Sequence, residues 1–457
     1  MLLTPIVLFV ILMILLYVPP VQNFIRKQAT AIASDATGMN ISVERIDLRF
    51  PLNLLVRGVQ VVQSEADAAD VQHPDTLLNL GSLNVSVQAW PLLQGRVEVN
   101  AITLQQVAVN SSNLLEGMHI KGTLGRFFLE SHGIDLKKED AILNNVELSN
   151  THMQVMLADT TETPKDSTET AVNWRIALHN LKLKNVSVDL QMPLDSMALR
   201  ANIGDASIED ANLDLKRQFY GWRWFTLTES AVNYDLGMAA PVEGFDASHI
   251  ALRDIRIGID SVMACGRDMN AIIREFSMYD RSGLTVTSLT GRLFADSTLI
   301  RIPYLQLKTP HSDMDLTAQT YWKLVDIPTT GHLSARFNAN IGKQDVLLFA
   351  GGLPETFKEA YPFRPLVIHA GTEGNLKQMQ ISRFTAELPG AFFLSGGGEL
   401  WNLTDSLTRN GGLDFEMQTQ DLNFLTGLTG VTPDGSIIVP DSMNLVARLG
   451  LDGPQCN

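Results

Sequence analysis

Residues 102–109 read ITLQQVAV. Ile102, Leu104, Val107 and Val109 are apolar, and Gln105-Gln106 divides two alternating halves. The same phrase stands at 54–61 (LLVRGVQV), 181–188 (LKLKNVSV), 250–257 (IALRDIRI) and 300–307 (IRIPYLQL). Weaker copies carry alanine: Ala141-Leu143-Val146-Leu148 and Ala206-Ile208-Ala211-Leu213. Alternation of this kind gives a strand with one apolar and one wet face. The middle pair adds one residue, and a strict period of two would turn the second half inside out. The phrase therefore predicts a bulge or bend at Arg57-Gly58, Gln105-Gln106, Asn144-Asn145, Lys184-Asn185 and Arg253-Asp254 that keeps both halves facing one way. What these long, bent, one-sided strands bury is the functional question.

The phrases recur at irregular intervals, which excludes a propeller or a solenoid of fixed period. Short helices are predicted near Lys343–Tyr361, broken at Gly351-Gly352, and at Asn423–Leu428. The tract Ala158–Thr170 (ADTTETPKDSTET) reads as an exposed loop.

The chain of 457 residues is 45% hydrophobic and carries a net charge of −15, a balance that opposes a phosphate-binding track and a nucleic-acid partner. Two cysteines, Cys265 and Cys456, give neither a disulfide framework nor a zinc site. Cys265 reads as a small buried apolar residue. Nine histidines show no ligand spacing, and there is no nucleophile elbow, phosphate loop or dinucleotide fingerprint. No catalytic residue, metal site or cofactor is expected, and the chain is not read as an enzyme. Gly396-Gly397-Gly398 reads as a strand kink rather than a phosphate cradle. Arg223, between Trp222 and Trp224, reads as part of an amphipathic strand edge rather than a nucleic-acid platform.

Leu2–Val18 (LLTPIVLFVILMILLYV) carries no charge. As a helix it would span about 26 Å, close to the roughly 30 Å hydrocarbon core. Leu2, Val7, Phe9, Ile14 and Tyr17 are its anchoring residues, with Tyr17 at interfacial depth. No basic start and no small-x-small site accompany it, which favours an uncleaved anchor over a signal peptide. Arg26 and Lys27 follow the segment. By flanking charge alone they would place the rest of the chain in the cytoplasm, a weak cue for a long translocated domain. Val21–Ala36 then reads as a helix ended by Gly38.

The anchor, the run Phe50-Pro51…Leu54…Gly58-Val59, the strand start Asp75-Thr76-Leu77 and the later stretch IIVPDSMNLVARLGLDG (437–453) resemble the N-terminal part of AsmA/TamB-type proteins, in the form common in Bacteroidetes-like bacteria. That resemblance implies a mainly β fold: a transmembrane helix, then a long, curved, elongated β-sheet groove of the repeating "β-taco" type with a few short helices. It also implies a single-pass protein of the bacterial inner membrane, mostly periplasmic, with a role in outer-membrane biogenesis and lipid transfer. Family members of the TamB type dock an outer-membrane barrel through a C-terminal region, for which this chain shows no counterpart.

The expected organisation is an anchor at 1–20, a connecting helix at 21–38, a first groove part at 39–340 with a mobile loop at 158–171, and a helical insertion with a second groove part at 341–457. The chain reads as an N-terminal piece of something longer. Val56, Val59, Leu104, Val107, Leu183, Val186, Leu252 and Ile255 are the candidate groove lining, taking phospholipid acyl chains. An ordinary sheet-on-sheet core would use the same residues. A scaffold that assists outer-membrane protein assembly through exposed edge strands is the alternative function.

Overall fold

The computed structural model describes residues 39–457 except 50–52, 63–75, 89–98, 112–116, 136–137, 158–172, 430–441, 454 and 457, together with single positions between 23 and 34. The expected anchor and the loop at 158–171 lie outside the described residues. Of the connecting helix, Asn23, Arg26–Gln28, Thr30, Ala31 and Ser34 are described, and all are helical. Among the described residues no helix is long and apolar enough to cross a membrane.

The structure is mainly β and divides into two compact units, Met1–Met238 and Ala239–Asn457. This division falls within the stretch read as the first groove part, not at 340/341. In the first unit the strands are β1 (Asn40–Arg49), β2 (Asn53–Val62), β3 (Thr76–Val87), β4 (Val99–Asn110), β5 (Met118–Asp135), β6 (Asp140–Leu157), β7 (Arg175–Met192), β8 (Met197–Asp214) and β9 (Phe219–Leu236). Each pairs with the next, antiparallel throughout except for the parallel pair β6–β7.

One line crosses all of these strands. Register places Gly58, Gly81, Gln106, Gly125, Asn150, Asn185, Gly204 and Glu229 on a single rung from β2 to β9. Gly58, Gln106, Asn150, Asn185 and Glu229 are left-handed, with φ between 51° and 58°. Glycine faces them from the neighbouring strand. A Cβ on Gly81 would lie 2.9 Å from the Gln106 Cβ, one on Gly125 2.8 Å from the Asn150 Cβ, and one on Gly204 2.4 Å from the Glu229 carbonyl oxygen. Where the parallel pair brings two left-handed asparagines together, Asn185 Nδ2 donates to Asn150 Oδ1 at 3.2 Å.

The break predicted at Gln105-Gln106 and Lys184-Asn185 is therefore present, in a different form. It is not a two-against-one bulge. Gln105 still faces Arg126 and Val107 still faces Leu124, because every strand carries its own extra residue on the same rung. The two residues between the apolar halves are exposed at Gln105-Gln106 and at Lys184-Asn185, so the wet face is the longer one there. The sheet creases toward its apolar face.

A second crease crosses the 18-residue strands at Asn144, His179, Asp210 and Arg223, six residues from the first on each of β6–β9. At about 3.3 Å per residue the two creases are about 20 Å apart. The alanine phrases at 141–148 and 206–213 mark this second line. β1–β4, of 10–12 residues, carry only the first.

The second unit runs through β10 (His249–Cys265), β11 (Asp268–Asp280), β12 (Thr285–Val286), β13 (Ser288–Ala295), β14 (Leu299–Lys308), β15 (Asp313–Tyr321), β16 (Leu333–Ile341), β17 (Leu366–Asn375), β18 (Gln378–Leu388), β19 (Phe392–Trp401), β20 (Asn410–Thr419), β21 (Met443–Asp452) and β22 (Gln455–Cys456). Its sequential pairs are antiparallel. The phrase at 300–307 breaks as a register shift between Ile302 and Leu305. Cys265 is half-buried at the end of β10, not buried.

Short helices α1 (Trp322–Asp326), α2 (Lys343–Phe349) and α3 (Glu355–Ala360) and a 3-10 turn, Asn423–Thr429, complete this unit. The latter three occupy the two helical regions predicted from sequence. α3 and the turn bury Phe357, Tyr361, Leu422 and Phe424 against Leu388 and Ala391, with the Tyr361 and Phe424 rings edge-on at 5.6 Å. Asp345 ties α2 to the β14–β15 turn: its carboxylate accepts from Thr309 Oγ1 at 2.5 Å and from Ser312 Oγ.

A left-handed conformation costs an ordinary residue about 1–2 kcal/mol. Gln106→Gly is therefore expected to be neutral or to raise the melting temperature, against the usual loss for glycine inside a strand. Gly81→Ala, whose methyl meets Gln106, is expected to lower it. Thermal melts in which Gln106→Gly loses more than about 1 kcal/mol of stability would contradict the crease.

Candidate apolar groove

Because the crease keeps register, apolar residues align into rows perpendicular to the strands. One row reads Ile46, Val56, Leu83, Leu104, Phe127, Leu148, Leu183, Ala206, Leu227 from β1 to β9. Across the crease a second reads Val43, Val59, Leu80, Val107, Leu124, Thr151, Val186, Ile203 and Ser230 in the same strand order. Residues directly opposite in paired strands share a face. Six of the eight residues predicted to line a groove thus stand in two adjacent rows: Val56, Leu104 and Leu183 in one, Val59, Val107 and Val186 in the other. Leu252 and Ile255 flank the left-handed Asp254 on β10 of the second unit.

The two hydroxyls in the second row are turned back onto the backbone. Ser230 Oγ donates to the Thr228 carbonyl at 2.9 Å, and Thr151 Oγ1 to that of Ser149 at 3.4 Å. Most of the row residues are half-buried rather than buried. Val56, at 9% exposed, and Val186, at 6%, are the buried members of the predicted set in this unit, and both adjoin the crease.

The wet face is charged. At the second crease Arg223 Nη2 donates to Glu209 at 2.6 Å and its Nε to Asp210 at 2.7 Å, while His179 Nδ1 lies 2.6 Å from Asp210. Arg223 is thus an outward, ion-paired residue. Its hydrogen bond holds the Asp210 carboxyl below its usual pKa, with His179 adding to the effect.

In the second unit the rows enclose a trough of ≈ 480 Å³. Phe337, Ala370, Phe384, Gly396 and Phe415 face one another in turn from β16 to β20. Ala335, Thr372, Ile381 and Leu413 form the next row, and Gly371, Met379 and Gly397 complete the lining. Thr372 is the one lining residue with a polar side chain, and its hydroxyl donates to the Gln380 carbonyl at 3.1 Å. In the sequence these residues carry one signal, the glycine run 396–398, which reads as a strand kink. Leu252 and Ile255 do not line this trough.

Among the described residues no group of three or more His, Cys, Asp or Glu side chains is placed to hold a metal ion. No family model and no curated protein matches the sequence.

Asp210 gives a pH test of the outer crease. Its folded pKa lies below the unfolded value of about 3.9, so its contribution to stability is full above that pH and is lost as pH falls through the folded value. In acid titrations followed by circular dichroism, Asp210→Asn should show a smaller loss of stability over this range than the parent. An unchanged acid profile would remove Asp210 from the account.

Proposed function

We propose that this chain is an AsmA/TamB-like protein of the bacterial cell envelope. In this reading Leu2–Val18 holds it in the inner membrane, the β units lie in the periplasm, and phospholipid moves along the apolar rows toward the outer membrane. The observation that supports it is the continuity of those rows: they run strand to strand on the inner side of a crease, and most of their residues are half-buried. Such a surface offers acyl chains an exchange of one apolar contact for another, each CH₂ kept from water being worth about 0.8 kcal/mol. Transfer of this kind needs no nucleophile, acid, base or cofactor. The wet face, with its ion pairs, keeps the outside of the sheet in water.

Val107→Asp with Leu183→Asp places a charge in each row. The folded double variant is expected to lose co-purifying lipid and to transfer fluorescent phospholipid between vesicles at least tenfold more slowly. Unchanged lipid content and transfer would show that these rows are not the path. Loss of barrel assembly with intact transfer would favour the scaffold.

A further inference from the structure

The geometry points to a polar site on the wet face of the second unit that binds one neutral sugar ring. It is independent of the apolar-groove reading, because it uses the opposite face of the sheet. Register sets Gln306 of β14 opposite Asp315 of β15, Asp315 opposite Asn338 of β16, and Asn338 opposite His369 of β17. One step along the same face, Lys308 stands opposite Asp313 and Asp313 opposite Asn340. These side chains line a pocket of ≈ 300 Å³. All are exposed, whereas Ala339, between the two asparagines, is buried.

Hydrogen bonds hold the walls and leave much of the lining open. Asn338 Nδ2 donates to Asp315 and Asn340 Nδ2 to Asp313, each at 2.7 Å. His369 Nδ1 lies 2.8 Å from Asn338 Oδ1, so it is the donor there, and in the neutral ring Nε2 is left as an acceptor. Each asparagine keeps its second amide hydrogen and each aspartate its other oxygen. Such a pair suits two neighbouring hydroxyls, one donating to the carboxylate and the next accepting from the amide. Two pairs stand side by side, about 7 Å apart along the strands. Among the described residues the Gln306 amide has no side-chain partner and adds a further donor and acceptor. A buried network fixes one end of the pocket. Asp345 holds the turn between β14 and β15 through Thr309 and Ser312, and Ser312 Oγ accepts from the Gly342 amide at 3.0 Å.

Charge and size set the occupant. Asp313 and Asp315 outnumber Lys308, which opposes a uronate or a sugar phosphate. The two carboxylates are tied to separate asparagines, and among the described residues neither belongs to a metal-holding group of His, Cys, Asp or Glu. A water's share of the liquid is about 30 Å³, so the pocket admits about ten water-sized groups, about one pyranose ring with its hydroxyls. Tyr304, two residues before Gln306 on the same face of β14 and 38% exposed, offers a ring to the C–H face of a sugar.

Saturation-transfer NMR on the full chain, held in a detergent without sugar, tests this with glucose, galactose, mannose and N-acetylglucosamine as probes. At least one should show saturable transfer. Asp315→Ala with Asn338→Ala should weaken it at least about tenfold, and so should Asn340→Ala with Asp313→Ala, both without loss of the melting transition. Val107→Asp with Leu183→Asp should leave it unchanged, which separates this site from the apolar rows. Glucuronate should bind at least about tenfold more weakly than glucose. Transfer to none of the four sugars overturns the proposal. So does binding that survives both outer-face double variants, or glucuronate that binds as well as glucose.

Discussion

The first unit depends on one backbone constraint: each strand must spend one extra residue on the same rung. If a single strand did so, its partner would be left out of phase and the apolar rows would end there. Because β2 through β9 all do so, register survives while the sheet turns. Left-handed residues and glycines alternate along most of that rung because side chains on two facing strands would collide there. The parallel pair is the exception, and there a hydrogen bond joins the two asparagines. The crease is thus a property of neighbours rather than of one strand, which is why its residues are so dissimilar: Gly, Gln, Asn and Glu.

From that constraint the rest follows in steps. Rows of apolar residues stay continuous, so the inner face is apolar over many strands. The outer face gains a row of polar side chains at each crease, where ion pairs such as Arg223–Asp210 form. The second unit reaches a related result by other means. There, register shifts on β14 and β18 break the strands, and large residues alternate with glycine and alanine to leave an apolar hollow.

Much of the fold was legible in the sequence because the phrase encodes both the strand and its break. Gln106, Asn185 and Asp254 are left-handed at the second position of the predicted pair. The copies in β3, β5 and β9 are harder to see. Leu80–Leu83 and Leu124–Phe127 flank their break as expected, but Leu227 is followed across it by Ser230, whose hydroxyl is satisfied locally. The parallel direction of β7 against β6 is not legible, since alternation carries no sense of direction. The trough was missed for a similar reason. Phe337, Phe384 and Phe415 are far apart in sequence and meet only through register across five strands. The glycines beneath them have no side chain to report a ligand.

Whether acyl lipids occupy the apolar surface of the β units is measured most directly by lipid mass spectrometry of residues 38–457, produced without the N-terminal segment and washed free of detergent. Several acyl lipids bound per chain, displaced by charges at Val107 and Leu183, are predicted. A folded protein that carries no lipid and takes none up from vesicles would contradict that occupancy.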